Sequence, residues 1–203
     1  MARFVVGWLV LVAWAIPVFV LAETMVPHMR ARIAWRGIAL GSILLGVDAA
    51  ITRAISVAPA SATLLRCAAA FGVAELVAYA AHRAMHRVPL LWRFHQLHHV
   101  DEPLAWHVAW RIHPIDAALF AAANVGACVL VGAPLPAGVA FVVARRVWTI
   151  VIHANIDWRA SALDALIATP SFHRRHHRED LAPANFAGTF PIIDLVFGTR
   201  AKE

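Results

Sequence analysis

The sequence predicts an all-α fold, an integral-membrane helical bundle of about four to five apolar helices with a histidine-rich helical cap on the cytoplasmic side. Three observations predict it. Of 203 residues, 61% are hydrophobic and 15% are Asp, Glu, Lys or Arg, with a mean hydropathy of +0.68, too apolar for an ordinary water-soluble domain. The apolar residues fall in runs of roughly 16–20, which at about 1.5 Å per residue approach the roughly 30 Å of a hydrocarbon core. Eleven of the twelve histidines gather in the polar stretches between and after the later runs.

The first apolar segment, about Phe4 to Ala22, reads as a retained helix. Only Arg3 precedes it, and Glu23-Thr24-Met25-Val26-Pro27 has no small-residue cleavage pattern. A second run, about Gly37 to Ile55, contains Asp48 and Arg53, and a third covers about Ala62 to Ala81 with Arg66 near its start. After the polar stretch 82–114 come Ile115 to Val131 and Ala137 to Ile152, joined by Gly132-Ala133-Pro134-Leu135-Pro136, the turn of a helical hairpin. The hairpin brings the chain back to the side it left, so segment 82–114 and the tail from His153 share one face. The whole reads as a single membrane domain, 1–203, with N-terminal membrane helices to about 61 and a histidine-bearing catalytic region from about 62 onward.

The charge excludes other classes. The formal net charge of +6 is carried by arginines and the single Lys202, with no basic run interleaved with aromatics, so anionic headgroups rather than nucleic acid are the expected partner. Cys67 and Cys128 stand alone in apolar runs, which gives neither a disulfide framework nor a thiolate metal site. Arginine also orients the chain. Arg30, Arg32 and Arg36, with Arg83, Arg87, Arg93, Arg111, Arg159, Arg174, Arg175, Arg178 and Arg200, lie on the histidine side, against Arg3, Arg53 and Arg66 on the other. The positive-inside rule places the histidines in the cytoplasm. Arg145 and Arg146 interrupt the fifth apolar segment, so either they face the bundle interior or the hairpin stops short of crossing.

The histidine spacing carries the chemistry. His82 and His86 form HxxxH; His95, His98 and His99 form HxxHH; His173, His176 and His177 repeat it; His153 ends the fifth apolar segment. On a helix, residues three and four apart share a face, so each box aims two or three imidazoles one way. Nine imidazoles exceed one tetrahedral site but suit two metals with four or five nitrogens each. Imidazole accepts iron, copper, zinc or nickel and does not name the metal. His28, His107 and His113 lack such partners and read as ordinary histidines. Glu75, Tyr79, His82 and His86 fall on one helical stripe, which makes Glu75 and Tyr79 either supports and channel lining for the ligands or interhelical hydrogen-bonding groups.

At Glu75 through His86 (ELVAYAAHRAMH), Leu91 through His99 (LWRFHQLHH), Arg111-Ile112-His113-Pro114, His153-Ala154-Asn155, Thr169 through His177 (TPSFHRRHH) and Asn185 through Thr199 (NFAGTFPIIDLVFGT), the chain resembles the fatty acid hydroxylase and sterol desaturase superfamily. The resemblance runs from about residue 72 to the end. It implies a membrane oxidoreductase that uses two iron ions (zinc being a possible occupant of purified protein), O2 as co-substrate and two electrons to oxidise an unactivated C–H bond of a fatty acyl, sterol-like or carotenoid lipid. It carries the family's metal ligands to His82, His86, His95, His98, His99, His153, His173, His176 and His177. The sequence departs from the family at Glu75, often Asp; at Phe186-Ala187, often Tyr-Gly; at Ile193, usually Trp; and at Asp157, where some members have a further histidine. Asp157 stands open between ligand, support and helix cap.

The chemistry agrees with the resemblance. An alkyl C–H bond has no acidic proton or leaving group, so a redox metal must carry the step, and return of hydroxyl to carbon favours hydroxylation over desaturation. Trp92, Trp106, Trp110 and Trp148 are candidate walls for the lipid. No flavin or cytochrome module is visible, so a separate ferredoxin, cytochrome or reductase is the expected electron donor. The alternative, a membrane metal transporter or sensor, needs a polar path through several helices, and a haem protein leaves the HxxHH repeat unexplained.

Overall fold

The computed structural model describes residues 17–25, 38, 64–100, 103–158, 163–178, 180 and 182–201. Most of the first two apolar segments, with Asp48, Arg53 and His28, lies outside the described residues. Among those described, every regular element is helical and no strand forms: a helical stretch 17–25, then α1 Leu64–Arg87, α2 Pro89–His99, a 3₁₀ turn Trp106–Trp110, α3 Pro114–Val131, α4 Leu135–His153, a 3₁₀ turn Leu163–Ala165, α5 Pro170–His176 and α6 Ile192–Val196.

Local chemistry sets these boundaries. Proline occupies the first turn of α2, α3, α4 and α5, where its missing N–H costs nothing. His113 caps α3 by accepting from Ile115 N at 3.2 Å, and Thr169 caps α5 by accepting from Phe172 N at 3.3 Å. α3 ends at Gly132 in the left-handed conformation, φ 65°, and Ala133 N returns to Cys128 O at 2.9 Å. The hairpin expected from 115–131 and 137–152 is therefore present, a few residues longer in its second arm.

α1 extends past the expected third apolar run to Arg87, so His82 and His86 ride on its last two turns. Its buried Ala70, Ala74 and Ala78 are spaced by four, and Ala70 packs with Cys128 of α3, whose own Ala117 and Ala121 are also buried. Small residues at such an interface let the helices approach closely. The outward positions Leu64, Leu65, Leu76 and Val77 of α1, with Val129 and Leu130 of α3, are exposed and apolar. α1 and α3 are long and apolar enough to cross a membrane. α2 and the 3₁₀ turn Trp106–Trp110 run between them, and α4 packs against α3, α5 and that turn.

Glu23 ties the N-terminal part to the rest. One carboxylate oxygen, Oε1, accepts from Trp106 N at 2.8 Å and from Asn155 N at 2.7 Å. Phe19 and Val20 pack on the core of Ile38, Trp106, Ala109, Trp110, Ile150 and Ala154.

Candidate metal centre

The eight histidines singled out by spacing converge with His153, singled out by its place at the end of the fifth apolar segment; eight of the nine are buried and His86 partly so. They form two groups, each with its candidate ligand nitrogens within 4.8 Å of one another: His82, His86, His95, His99 and His176 in one, and His98, His153, His173 and His177 in the other. The two HxxHH boxes divide oppositely. In α2, His95 and His99, one turn apart, join the first group and His98 the second; around α5, His173 and His177 join the second and His176 the first. Residues four apart share a face whereas neighbours point roughly 100° apart, so a single helix supplies both groups. The groups touch: the His99 and His177 rings stack with centroids 4.2 Å apart, and those of His82 and His176 lie 4.5 Å apart.

Outer partners fix the rings. Nδ1 of His82 faces Phe186 O at 2.7 Å, that of His98 faces Arg111 O at 3.1 Å, that of His153 faces Thr149 O at 2.6 Å and that of His176 faces Ala184 O at 2.8 Å. A carbonyl only accepts, so each of these rings donates from Nδ1 and keeps the Nε2 lone pair for the cluster. His95 Nδ1 meets the buried Asp116 carboxylate at 3.2 Å. Sequence reading missed Asp116, although an acid in the first turn after His113-Pro114 was a usable signal. The four carbonyl partners left no signal, because a backbone oxygen has no residue identity.

The inward nitrogens fit metal ions. In the four-histidine group His98 Nε2 to His153 Nε2 is 2.9 Å, His173 Nε2 to His153 Nε2 is 3.1 Å, and His177 Nε2 to His173 Nε2 is 3.1 Å. Metal–imidazole bonds of about 2.1 Å at right angles separate neighbouring nitrogens by about 3.0 Å. In the five-histidine group Nε2 of His86, His95, His99 and His176 is buried without a hydrogen-bond partner, an arrangement that costs free energy unless something else accepts the lone pairs. Burial and the neighbouring imidazoles push His95, His99, His173, His176 and His177 well below the ordinary histidine range, and burial pushes His98 down to about 4, so neutral, metal-ready rings are the resting form.

A cavity of about 90 Å³ reaches both groups. His82, His95, His98, His153 and His173 line it with apolar Ala78, Ile112, Phe120, Val142, Ile152 and Phe186, and with Asp116, Asn124, Arg145, Arg146 and Thr149. None of the four tryptophans expected as lipid walls lines this cavity. Trp92 packs on the His86 and His99 rings, Trp106 and Trp110 fill the core near Ile150, and Trp148 packs beside Ile152 and Phe172.

Arg145 is on the bundle interior, with Nε 3.2 Å from Glu75 Oε1 and both side chains largely buried. Glu75 is therefore an interhelical ion-pair partner and does not support a ligand directly. Tyr79 hydrogen-bonds Thr199 Oγ1 at 2.8 Å. Asp157 belongs to neither histidine group and acts electrostatically on Arg174. His107 is buried in the 3₁₀ turn, also outside both groups, and His113 is a helix cap.

A sequence model of the fatty acid hydroxylase family matches residues 67–199, a span that contains every one of these groups. Among curated proteins, the chain is 36% identical over 129 residues to the ornithine lipid hydroxylase OlsE of Rhizobium tropici, covering 63% of this chain and 39% of that protein. It is 29% identical over 138 residues to the alkylglycerol monooxygenase of Homo sapiens, covering 62% and 28%. It is 31% identical over 151 residues to the very-long-chain aldehyde decarbonylase GL1-1 of Oryza sativa subsp. indica, covering 69% and 23%. The chain thus spans well under half the length of these relatives. No solved structure matches.

Proposed function

The chain belongs to the fatty acid hydroxylase family, of the fatty acid hydroxylase and sterol desaturase superfamily, and from that premise we propose that it is a membrane-bound oxygenase whose nine histidines hold two iron ions and which hydroxylates a lipid C–H bond. The observation that carries the proposal is the division of nine imidazoles, eight of them buried, into groups of five and four that meet at one cavity. His82, His86, His95, His99 and His176 would hold one ion, and His98, His153, His173 and His177 the other. The bound ions would supply the O2-dependent redox chemistry that no side chain can perform on an alkyl C–H bond.

The protein's own residues do the positioning. Carbonyls of Phe186, Ala184, Arg111 and Thr149 hold Nδ1 protons and so keep Nε2 atoms directed inward. Asp116 holds the proton of His95 Nδ1. Ala78, Ile112, Phe120, Val142 and Ile152 exclude water from the cavity and receive the alkyl segment to be oxidised. A volume of about 90 Å³ encloses a few methylenes and leaves the remainder of a lipid to the bilayer around α1 and α3. The relatives named for lipid hydroxylation and monooxygenation support a lipid substrate and hydroxylation over desaturation. Electrons would come from a separate ferredoxin, cytochrome or reductase. Positive charge at Arg83, Arg87, Arg93, Arg111 and Arg174 supports a cytoplasmic histidine face within a single membrane domain.

Comparative lipid mass spectrometry of cells with and without the gene, complemented by wild type or by His98→Ala, tests the proposal. A lipid gaining one oxygen only with the wild-type gene is expected. Identical lipid profiles in all strains under aerobic growth would count against it.

A further inference from the structure

We propose that the C-terminal loop 184–199, locked by the Asp194 carboxylate, is a positioning device for the five-histidine group alone, so that the two metal sites have separate outer supports. The inference rests on the reading of the two groups as metal sites.

Asp194 is fully buried and makes three bonds with its two oxygens. Oδ1 accepts from Phe186 N at 2.8 Å and from Thr199 Oγ1 at 2.7 Å, and Oδ2 accepts from Ala187 N at 2.8 Å. Two backbone N–H groups on one carboxylate fix the peptide units on either side of Phe186. The Phe186 carbonyl then receives His82 Nδ1–H at 2.7 Å, and the Ala184 carbonyl, two residues earlier, receives His176 Nδ1–H at 2.8 Å. Asn185 between them sits at φ 56°, the left-handed conformation that asparagine tolerates better than most residues. Its side chain secures the turn by donating to Phe172 O at 3.0 Å and accepting from Ala201 N at 2.8 Å.

The loop closes on the helix that bears its target. Because the Thr199 hydroxyl proton goes to Asp194, the Tyr79 hydroxyl must donate to Thr199 Oγ1, at 2.8 Å. Tyr79 precedes His82 by three residues on α1. A ring of bonds thus runs from Tyr79 through Thr199, Asp194 and Phe186 to His82. No ring of the four-histidine group takes its Nδ1 partner from the loop: those of His98 and His153 are Arg111 O and Thr149 O, and Nδ1 of His173 and of His177 is buried without a hydrogen-bond partner. This gives the Asn185–Thr199 segment of the family resemblance a role that its lack of candidate ligands left open.

The test is metal content and stepwise chelator competition on the full chain in detergent, for wild type, Asp194→Asn and Thr199→Val. Asp194→Asn turns an amide N–H toward one of the two backbone donors, whereas Thr199→Val removes one donor to Asp194 and the acceptor of Tyr79 but leaves the carboxylate and its two backbone bonds. Wild type is expected to hold two ions per chain. Asp194→Asn should lose affinity at one site by about 10–100-fold with the other unchanged, and Thr199→Val should weaken the same site less. If Asp194→Asn does not fold, Thr199→Val decides alone. Two ions held with wild-type affinity in the variants, or both sites weakened together in Thr199→Val, overturns the inference and leaves the metal reading standing. Fewer than two ions in wild type overturns both.

Discussion

The Nε2 atoms of His98 and His153 lie 2.9 Å apart, although the Nδ1 atom of each ring already faces a backbone carbonyl, Arg111 O at 3.1 Å and Thr149 O at 2.6 Å. Both Nδ1 atoms must carry a proton, so neutral rings direct two lone pairs at each other in a buried site. Protonating His98 is a poor remedy near neutral pH, because burial pushes it down to about 4. A cation that accepts both lone pairs removes the conflict. Stripping metal with a chelator should therefore lower the melting temperature, and reloading should restore it. Ligand present at a thousandfold over Kd stabilises by roughly 4 kcal/mol. Thermal unfolding of stripped and reloaded protein in detergent measures this, and equal midpoints would speak against a cation in the site.

The unequal groups make the two sites unequally tolerant. His86→Ala leaves four imidazoles in its group, whereas His177→Ala leaves three. Chelator competition should show His177→Ala losing at least about tenfold more affinity at its site than His86→Ala at its own, about 1.4 kcal/mol. Equal losses would mean that the ligand sets are divided differently.

Asp116 gives His95 a side-chain carboxyl as its Nδ1 partner, where the carbonyl-bound histidines have a backbone oxygen. In Asp116→Asn the amide presents either an oxygen or an N–H toward His95 Nδ1 and no longer a carboxylate. Metal affinity at the five-histidine site should fall by about 10–100-fold, with lipid oxidation falling alongside it. Unchanged affinity would reduce the 3.2 Å contact to packing.

The buried pair of Glu75 and Arg145 joins α1 to α4. Glu75→Ala leaves the guanidinium buried without its carboxylate, which should cost about 3–5 kcal/mol. At about 2–4 °C per kcal/mol for a chain of this size, the melting temperature should drop by roughly 6–20 °C. Glu75→Leu combined with Arg145→Met should recover most of that loss, because it removes both charges together. A double variant no more stable than Glu75→Ala would assign these residues a task other than pairing.

The helical class and the histidine set were legible because both depend on periodicity, a property of one chain segment at a time. His95 and His99 four apart, or Ile115 to Val131 without a charge except Asp116, announce themselves in one dimension. The division of His98 from His99 was not legible, since it depends on where α4 and α5 bring His153 and His173. Arg145 could be recognised as costly in a membrane segment, but its partner Glu75 lies 70 positions earlier and emerges only when α1 meets α4. Tryptophans read as lipid walls because they are large and apolar; the smaller Ala78 of α1, Phe120 of α3 and Val142 of α4 line the cavity beside the histidines.

The most direct measurement is the metal content of the full chain, purified in detergent without added metal and analysed by inductively coupled plasma mass spectrometry against protein concentration from amino-acid analysis. The account predicts two ions per chain, iron foremost, falling toward one when His153 or His177 is replaced by alanine. Fewer than two ions per chain in the wild-type protein, with its fold intact, would contradict it.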